Sequence, residues 1–177
     1  LPQLQRTFAK SLADTSSDLL RARAAKALGT LIKLTPRVDP LIAELVTGSK
    51  TADEAVKLAM LKALFEVVSK AGKNMSEASR NAILGLIDND LDDSDGKCCF
   101  RYNEDTTNSF TDSMAITNAR LLGALISCLP EESAVSLIKT RVLTTHFSKA
   151  SVLALNAILL DAPEAFTERF PDETLHV

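Results

Sequence analysis

The chain has 177 residues, of which 46% are hydrophobic and 24% are charged, a balance that excludes a disordered tail. It contains six Gly, six Pro, one Tyr and no Trp, whereas strand-rich domains usually need more turn residues and more aromatic side chains. The net charge is −3 and the pI is about 5.4, which argues against a dedicated nucleic-acid-binding domain, since such domains are usually basic overall. The composition therefore predicts an all-α protein.

Apolar residues recur at helical spacing along most of the chain, and the segments fall into pairs. Asp39 and Ser76 are expected to cap the N-termini of two segments. Gly48 and Gly72 are expected to end two others. In chain order, the predicted helices are 2–13, 16–33, 39–48, 51–71, 76–87, 113–128, 130–142, 149–161 and 163–170.

The second helix of each pair resembles the second helix of the next. The similar segments are 24–32, 61–68, 118–126 and, more weakly, 153–158. Alignment gives spacings of 36, 58 and 33 residues between the equivalent leucines Leu28, Leu64, Leu122 and Leu155. Two of these spacings are single helical-repeat periods, and the middle one is a period with an insertion of about twenty residues. Because a helix pair cannot bury its apolar stripe alone, the repeat predicts a stacked solenoid.

The insertion falls at residues 88–112, where eight Asp and Glu are balanced by Lys97 and Arg101. The segment is polar and aperiodic, which predicts an acidic loop that is mobile or partly disordered. The rest of 1–177 is predicted to form a single array. The chain starts at Leu1 without a Met and ends on an unpaired helix, and we therefore expect a fragment of a larger protein.

Motifs for catalysis or metal binding are poorly matched. His146 has no Cys, Ser-Gly motif or ligand partner nearby in the sequence. The acidic insertion fails the calcium-loop spacing, because placing Gly96 at position six puts Tyr102 at position twelve, where Glu is required. The three cysteines are an odd number and lack zinc-type spacing, which fits a reducing compartment. We predict a cytoplasmic protein that is not an enzyme, with no catalytic residue, metal site or cofactor.

Residues near the start of the chain resemble a HEAT repeat. The pattern is Asp14, then Leu20-Arg21, followed by an Ala-rich stretch that includes Leu28-Gly29. In HEAT repeats an Asp after the first helix and an Arg early in the second often form a ladder between neighbouring repeats. The resemblance implies an all-α, right-handed HEAT-repeat solenoid of about four helix pairs plus a partial fifth.

A more specific resemblance is carried by segments 1–8, 28–32, 38–41 and 44–45. They are similar to the family of giant HEAT-repeat translational activators of the general amino-acid control pathway. The resemblance implies a ribosome-associated scaffold that recruits the kinase of the initiation factor two alpha subunit during amino-acid starvation. It further implies that this region binds the RWD domain of that kinase, and of other RWD-containing proteins. A basic residue in this stretch is tied to kinase binding in the family, and Arg21 is the best match.

Charge is distributed unevenly along the chain. Residues 1–75 hold 12 Lys and Arg against 7 Asp and Glu, whereas residues 76–177 hold 8 against 16. The basic residues cluster on the two predicted second helices of the first half, and such helices usually line one face of the array. The predicted partner-binding residues are Arg21, Arg23, Lys26, Lys33, Lys57 and Lys62. The alternatives are a solvated helix face, contact with the ribosome or RNA, and a purely structural HEAT spacer, with Arg21 serving only in a ladder.

Overall fold

The computed structural model of the chain describes residues 2–35, 37–92 and 109–142, together with Glu168. Within these ranges the chain is helical and contains no strand. The helices are α1 (Pro2–Leu12), α2 (Asp18–Leu31), α3 (Asp39–Gly48), α4 (Glu54–Ala71), α5 (Glu77–Asp92), α6 (Ser109–Cys128) and α7 (Glu131–Leu137). Short 3-10 helices follow α2 at Ile32–Leu34 and α4 at Gly72–Asn74, and a π-helical segment follows α7 at Ile138–Val142.

The helices form two layers. Helices α2, α4 and α6, called the second helices below, pack side by side, and α4 contacts both of its neighbours extensively. Helices α1, α3, α5 and α7 are the first helices, and α3 packs against both α1 and α5. Each described pair is a helical hairpin stacked on the next, as predicted for an all-α solenoid.

The leucines used to align the repeats lie in the shared core. Leu28 and Leu64 are fully buried and Leu122 is almost fully buried. They belong to one hydrophobic cluster that runs through all the described hairpins. Burial of one equivalent leucine per second helix explains why the repeat is visible in the sequence. Leu155 lies outside the described residues.

Glycine allows two second helices to approach closely. A Cβ atom built on Gly29 of α2 would lie 2.8 Å from the Cβ of Glu66 on α4, which is closer than real Cβ atoms pack. Gly72 meets Cys128 of α6 in a similar way, at 2.6 Å from its Sγ. Any larger residue at these positions would force the helices apart.

Several helices begin at side-chain caps. Ser17 and Asp53 each accept a hydrogen bond from a backbone N–H one turn into α2 and α4. Ser76 accepts from the Ser79 N–H at 3.3 Å, so its prediction as a cap is confirmed. Each such bond satisfies an N–H that has no partner within its own helix.

The prediction for Asp39 is wrong. The capping position of α3 is Val38, and Asp39 is the first residue of the helix itself. Its carboxylate instead accepts hydrogen bonds from the Ser79 hydroxyl at 2.7 Å and from the Ser76 N–H at 2.8 Å. These two bonds lower the pKa of Asp39, with the Ser79 hydroxyl contributing most. Asp39 therefore ties α3 to the start of α5 in the next hairpin.

The predicted loop at 88–112 needs correction at both ends. Helix α5 continues through Asp92 and α6 already begins at Ser109, so 88–92 and 109–112 are helical. Asp and Asn cost less than about 1 kcal/mol each in a helix, and no Gly or Pro interrupts this part of α5. Asp88 also forms an ion pair with Arg141 of the π-helical segment. The remainder of the predicted insertion, 93–108, lies outside the described residues.

The predicted helix 130–142 matches α7 and its π-helical continuation. The predicted helices 149–161 and 163–170 lie outside the described residues, except for Glu168. The described part of the chain thus comprises three complete hairpins, followed by the first helix of a fourth.

Candidate partner-binding surface

Arg21 is buried, with 5% of its surface exposed. Its guanidinium donates hydrogen bonds to the main-chain carbonyl of Asp14 and to the carboxylate of Asp18. Both contacts lie within the first hairpin, so the structure does not show the ladder between repeats that the family pattern suggested. The guanidinium fastens the α1–α2 turn to the start of α2, and little of it is open to a partner.

The Asp14 carboxylate is occupied by the turn itself. It accepts hydrogen bonds from both the hydroxyl and the N–H of Ser16. These bonds lower the pKa of Asp14, the Ser16 hydroxyl having the largest effect and the Arg21 charge a smaller one. Asp14 and Arg21 are thus near each other but are joined through the Asp14 backbone.

Arg23, Lys26 and Lys33 are exposed along α2 and the 3-10 turn that follows it. At 100° per residue, these positions lie within about 80° of one another around the helix axis. The opposite side of α2 carries its buried residues, including Ala25 and Leu28. The structure therefore brings three of the six predicted residues onto one open face.

Lys62 and Lys57 do not share a face of α4. Lys62 is exposed, whereas Lys57 is half-buried. The two residues are five positions apart, which turns them by about 140° around the helix axis. Lys62 lies on the same side as Ser69, which is also exposed. The prediction thus grouped two lysines that the helix directs apart.

The equivalent position of the next hairpin is also basic. In the repeat alignment, Lys26, Lys62 and Arg120 each stand two residues before an aligned leucine, and all three are exposed. They form a row, called the cation row below, that crosses α2, α4 and α6. Packed helices lie about 8–10 Å apart, so the row places one positive charge at roughly that interval. Arg120 was missed because the charge count stopped at residue 75, although the repeat alignment contains the signal.

The same surface has a positive balance. The second helices of the first two hairpins with their flanking turns, residues 17–34 and 53–74, contain eight Lys and Arg against four Asp and Glu. Glu66 is paired with Lys70 of the same helix, and Asp18 is paired with Arg21. With two of the four acids held in these pairs, the surface of these two helices keeps an excess of positive charge, to which Lys26 and Lys62 of the cation row contribute.

Phe65 and Arg120 join α4 to α6 on this surface. The guanidinium carbon of Arg120 lies 4.4 Å from the centroid of the Phe65 ring, a cation–π contact. Ile116, one turn before Arg120, is 46% exposed. None of the three was predicted as a site residue. For Phe65 and Ile116 the sequence carries no signal, because an apolar side chain on a helix does not by itself indicate a binding site.

Metal-binding and membrane-spanning features are absent from the described ranges. No group of three or more His, Cys, Asp or Glu side chains there could hold a metal ion. None of the helices in that part of the chain has both the length and the apolar character needed to cross a membrane.

Stacked hairpins with a layer of first helices and a layer of second helices define a HEAT-repeat array, a class of helical solenoid. Comparison of the sequence with known protein families supports the same class and identifies one family within it. The sequence model described as "Stalled ribosome sensor GCN1-like, HEAT repeats" matches residues 39–161, and the chain belongs to this family.

Relatives come from distant eukaryotes. The chain is 44% identical over 168 residues, or 92% of its length, to the eIF-2-alpha kinase activator GCN1 of Saccharomyces cerevisiae. It is 37% identical over 75% of its length to the human stalled ribosome sensor GCN1, and 45% identical over 49% to the protein ILITYHIA of Arabidopsis thaliana. The chain spans 6%, 4% and 3% of these relatives, respectively. No solved structure matches the chain significantly.

Proposed function

We propose that this chain is a protein-binding scaffold segment that docks the RWD domain of the initiation factor two alpha kinase. By this docking it helps activate the kinase on ribosomes during amino-acid starvation. The yeast relative is named as an eIF-2-alpha kinase activator and the human relative as a stalled ribosome sensor, which supports a scaffold role in kinase activation. The chain is a small part of such a protein, and its contribution is binding rather than catalysis.

The observation that carries the proposal is the line of exposed cations on the second helices. Arg23, Lys26 and Lys33 lie on one face of α2, and Lys62 lies on the exposed face of the adjacent α4. Guanidinium and ammonium groups pair with carboxylates, and a field of one sign speeds the approach of an oppositely charged partner. The docked domain should therefore present an acidic surface, whose carboxylates pair with the exposed cations of this face.

The buried position of Arg21 changes its role in the proposal. Arg21 holds the start of α2 against the α1–α2 turn. Arg23, two residues later, is exposed and supplies the contact with the partner. A substitution of Arg21 would then weaken binding indirectly, by loosening the helix that presents Arg23 and Lys26.

The test is the affinity of the purified chain for the kinase RWD domain, measured by calorimetry. Charge reversal of Arg23 and Lys26 together should weaken binding at least tenfold, because it places two like charges against the acidic partner. The matched control is reversal of Arg6 and Lys10, two exposed cations on α1 in the other layer. No detectable complex with the unaltered chain would reject the proposal, and an equal loss in the control would reject this surface as the site.

Contact with ribosomal RNA is a second candidate, favoured by the cation row and by the name of the human relative. Phosphates would then replace carboxylates as partners. Such binding should weaken steeply with salt, because each neutralised phosphate releases a counterion. Saturable RWD binding without RNA retention at physiological salt would count against it. If neither partner binds, the remaining interpretation is a structural HEAT spacer.

A further inference from the structure

Phe65 occupies a special position in the repeat. It stands one residue after Leu64, where the neighbouring second helices carry Gly29 and Gly123 after their own aligned leucines. Gly29 is packed tightly against α4. Phe65 is half-buried and reaches the Arg120 side chain of α6. An aromatic ring of α4 that remains partly open to solvent is therefore in contact with Arg120 of α6.

An exposed apolar side chain lies beside this ring contact. Ile116 and Arg120 are four residues apart on α6 and share one face of the helix. Ile116 is one of five large hydrophobic residues that are clearly exposed in the described part of the chain. We call Phe65, Ile116 and Arg120 the anchor patch. It lies beside Lys62, which is one turn before Phe65 on α4 and belongs to the cation row.

We propose that the partner crosses α2, α4 and α6, and that the anchor patch is the central contact of this interface. This inference rests on the proposed function and extends its site onto α6. The partner presents carboxylates to the cation row and seats an apolar side chain against Ile116 and the open edge of Phe65. Arg120, held against the Phe65 ring, packs beside that side chain and borders the apolar contact.

Interface chemistry supports a protein partner over a nucleic acid. Aromatic residues and Arg are enriched at the energetic centres of protein interfaces, with charged residues around them. The anchor patch and the neighbouring Lys62 follow this arrangement. An exposed Ile offers no hydrogen bond to a phosphate or a sugar, and the whole chain carries a net charge of −3. An acidic protein surface with an exposed apolar residue satisfies both parts.

Binding kinetics can separate the patch from the cations around it. We would measure association and dissociation of the RWD domain on the immobilised chain for Ile116→Ser and Arg120→Glu. Loss of a central contact acts mainly on dissociation, so Ile116→Ser should dissociate about fivefold faster with little change in the association rate. Lys26→Glu should instead slow association and reduce its salt dependence. Leu4→Ser is the matched control, because Leu4 is 50% exposed on α1 in the opposite layer.

The outcomes distinguish this inference from the proposed function. If the unaltered chain binds no RWD domain, the proposed function fails and the anchor patch loses its partner. If the chain binds and Ile116→Ser dissociates like Leu4→Ser, the patch is overturned while docking through α2 stands. Thermal melting of each variant shows whether Arg120→Glu weakens binding by destabilising the fold. If it does, the dissociation rate of Ile116→Ser alone tests the anchor patch. Single-stranded RNA is the second probe: RNA binding that Ile116→Ser leaves intact, without RWD binding, overturns the inference.

Discussion

The carboxylate of Asp39 accepts a hydrogen bond from the hydroxyl of Ser79 at 2.7 Å and thereby connects the first helices of two successive hairpins. The two residues are 40 positions apart in the chain. In a solenoid each hairpin contacts mainly its neighbours, so polar bonds across a junction add to the stability of the whole stack.

Removal of this bond should destabilise the chain at neutral pH. We expect Asp39→Ala to lower the free energy of unfolding by about 1–2 kcal/mol, since it leaves the Ser76 N–H and the Ser79 hydroxyl without their acceptor. Urea unfolding followed by circular dichroism measures the change. Glu44→Ala, an exposed acid on the same helix, should change stability by less than about 0.5 kcal/mol.

The contribution of Asp39 should also depend on pH. Because its pKa is lowered from 3.8 in the folded chain, the stabilisation is present above the pKa of the unfolded state. It is lost as the pH falls through the lower, folded-state pKa. The difference in unfolding free energy between the unaltered chain and Asp39→Ala should therefore be constant between about pH 5 and pH 7, where the carboxyl is ionised in both states, and should shrink in stronger acid. A difference that grows in acid would contradict this assignment.

Two arginines two residues apart should behave differently. Arg21→Ala should cost about 1–3 kcal/mol of stability, because it removes a buried guanidinium from the Asp14 carbonyl. Arg23→Ala should cost less than about 0.5 kcal/mol, since Arg23 is exposed. Thermal unfolding of both variants measures the contrast. If Arg21→Ala unfolds like the unaltered chain yet loses the RWD domain, the arginine contacts the partner directly.

Glycine substitutions provide a matched pair. Gly29→Ala should destabilise the chain by about 1–3 kcal/mol, because the new Cβ would overlap Glu66 on α4. Gly85→Ala should stabilise it by about 0.5–1 kcal/mol, because Gly85 lies in α5 and, among the described residues, no atom outside its own helix backbone comes within 4 Å of its would-be Cβ. Ala is also the better helix former. Denaturant midpoints for the two variants should move in opposite directions. Movement of both midpoints upwards would show that α2 and α4 can separate at little cost.

The two lysines of α4 should differ in binding. Lys62→Glu should weaken the RWD complex several-fold and flatten its salt dependence, because Lys62 lies in the cation row. Lys57→Glu should leave the affinity nearly unchanged, because its side chain is directed about 140° away around the helix. Titrations at two salt concentrations measure both effects. Equal losses in the two variants would show that the partner does not approach from the face that carries the cation row.

Much of the architecture was predictable because local and tertiary signals agree. Leu28 and Leu64 recur in similar sequence and are buried in equivalent places, so the repeat could be detected without a structure. Gly48 and Ser76 are residue types that favour the end and the start of a helix, and in the structure α3 ends at Gly48 and Ser76 caps the start of α5. The family resemblance, drawn from short segments in the first half, is confirmed by the match over residues 39–161.

The candidate site was less predictable because exposure and partners are tertiary properties. Arg21 carries the same charge as Arg23, and its burial depends on the α1–α2 turn folding over it. Asp39 has the sequence of a helix cap, yet its carboxylate is used by a helix that begins 38 residues later. Phe65 becomes part of a surface because α6 places Arg120 against its ring.

Hydrophobic periodicity and repeat spacing are recorded along the chain, so they were enough to predict the described helices, apart from the ends of 88–112, together with their pairing and the family. Which charged residues face solvent, and which form hydrogen bonds within or between hairpins, follows only from the tertiary structure. The reason is physical: periodicity depends on neighbours three or four residues away, whereas the burial of Arg21 and the contact between Phe65 and Arg120 depend on how whole helices stack.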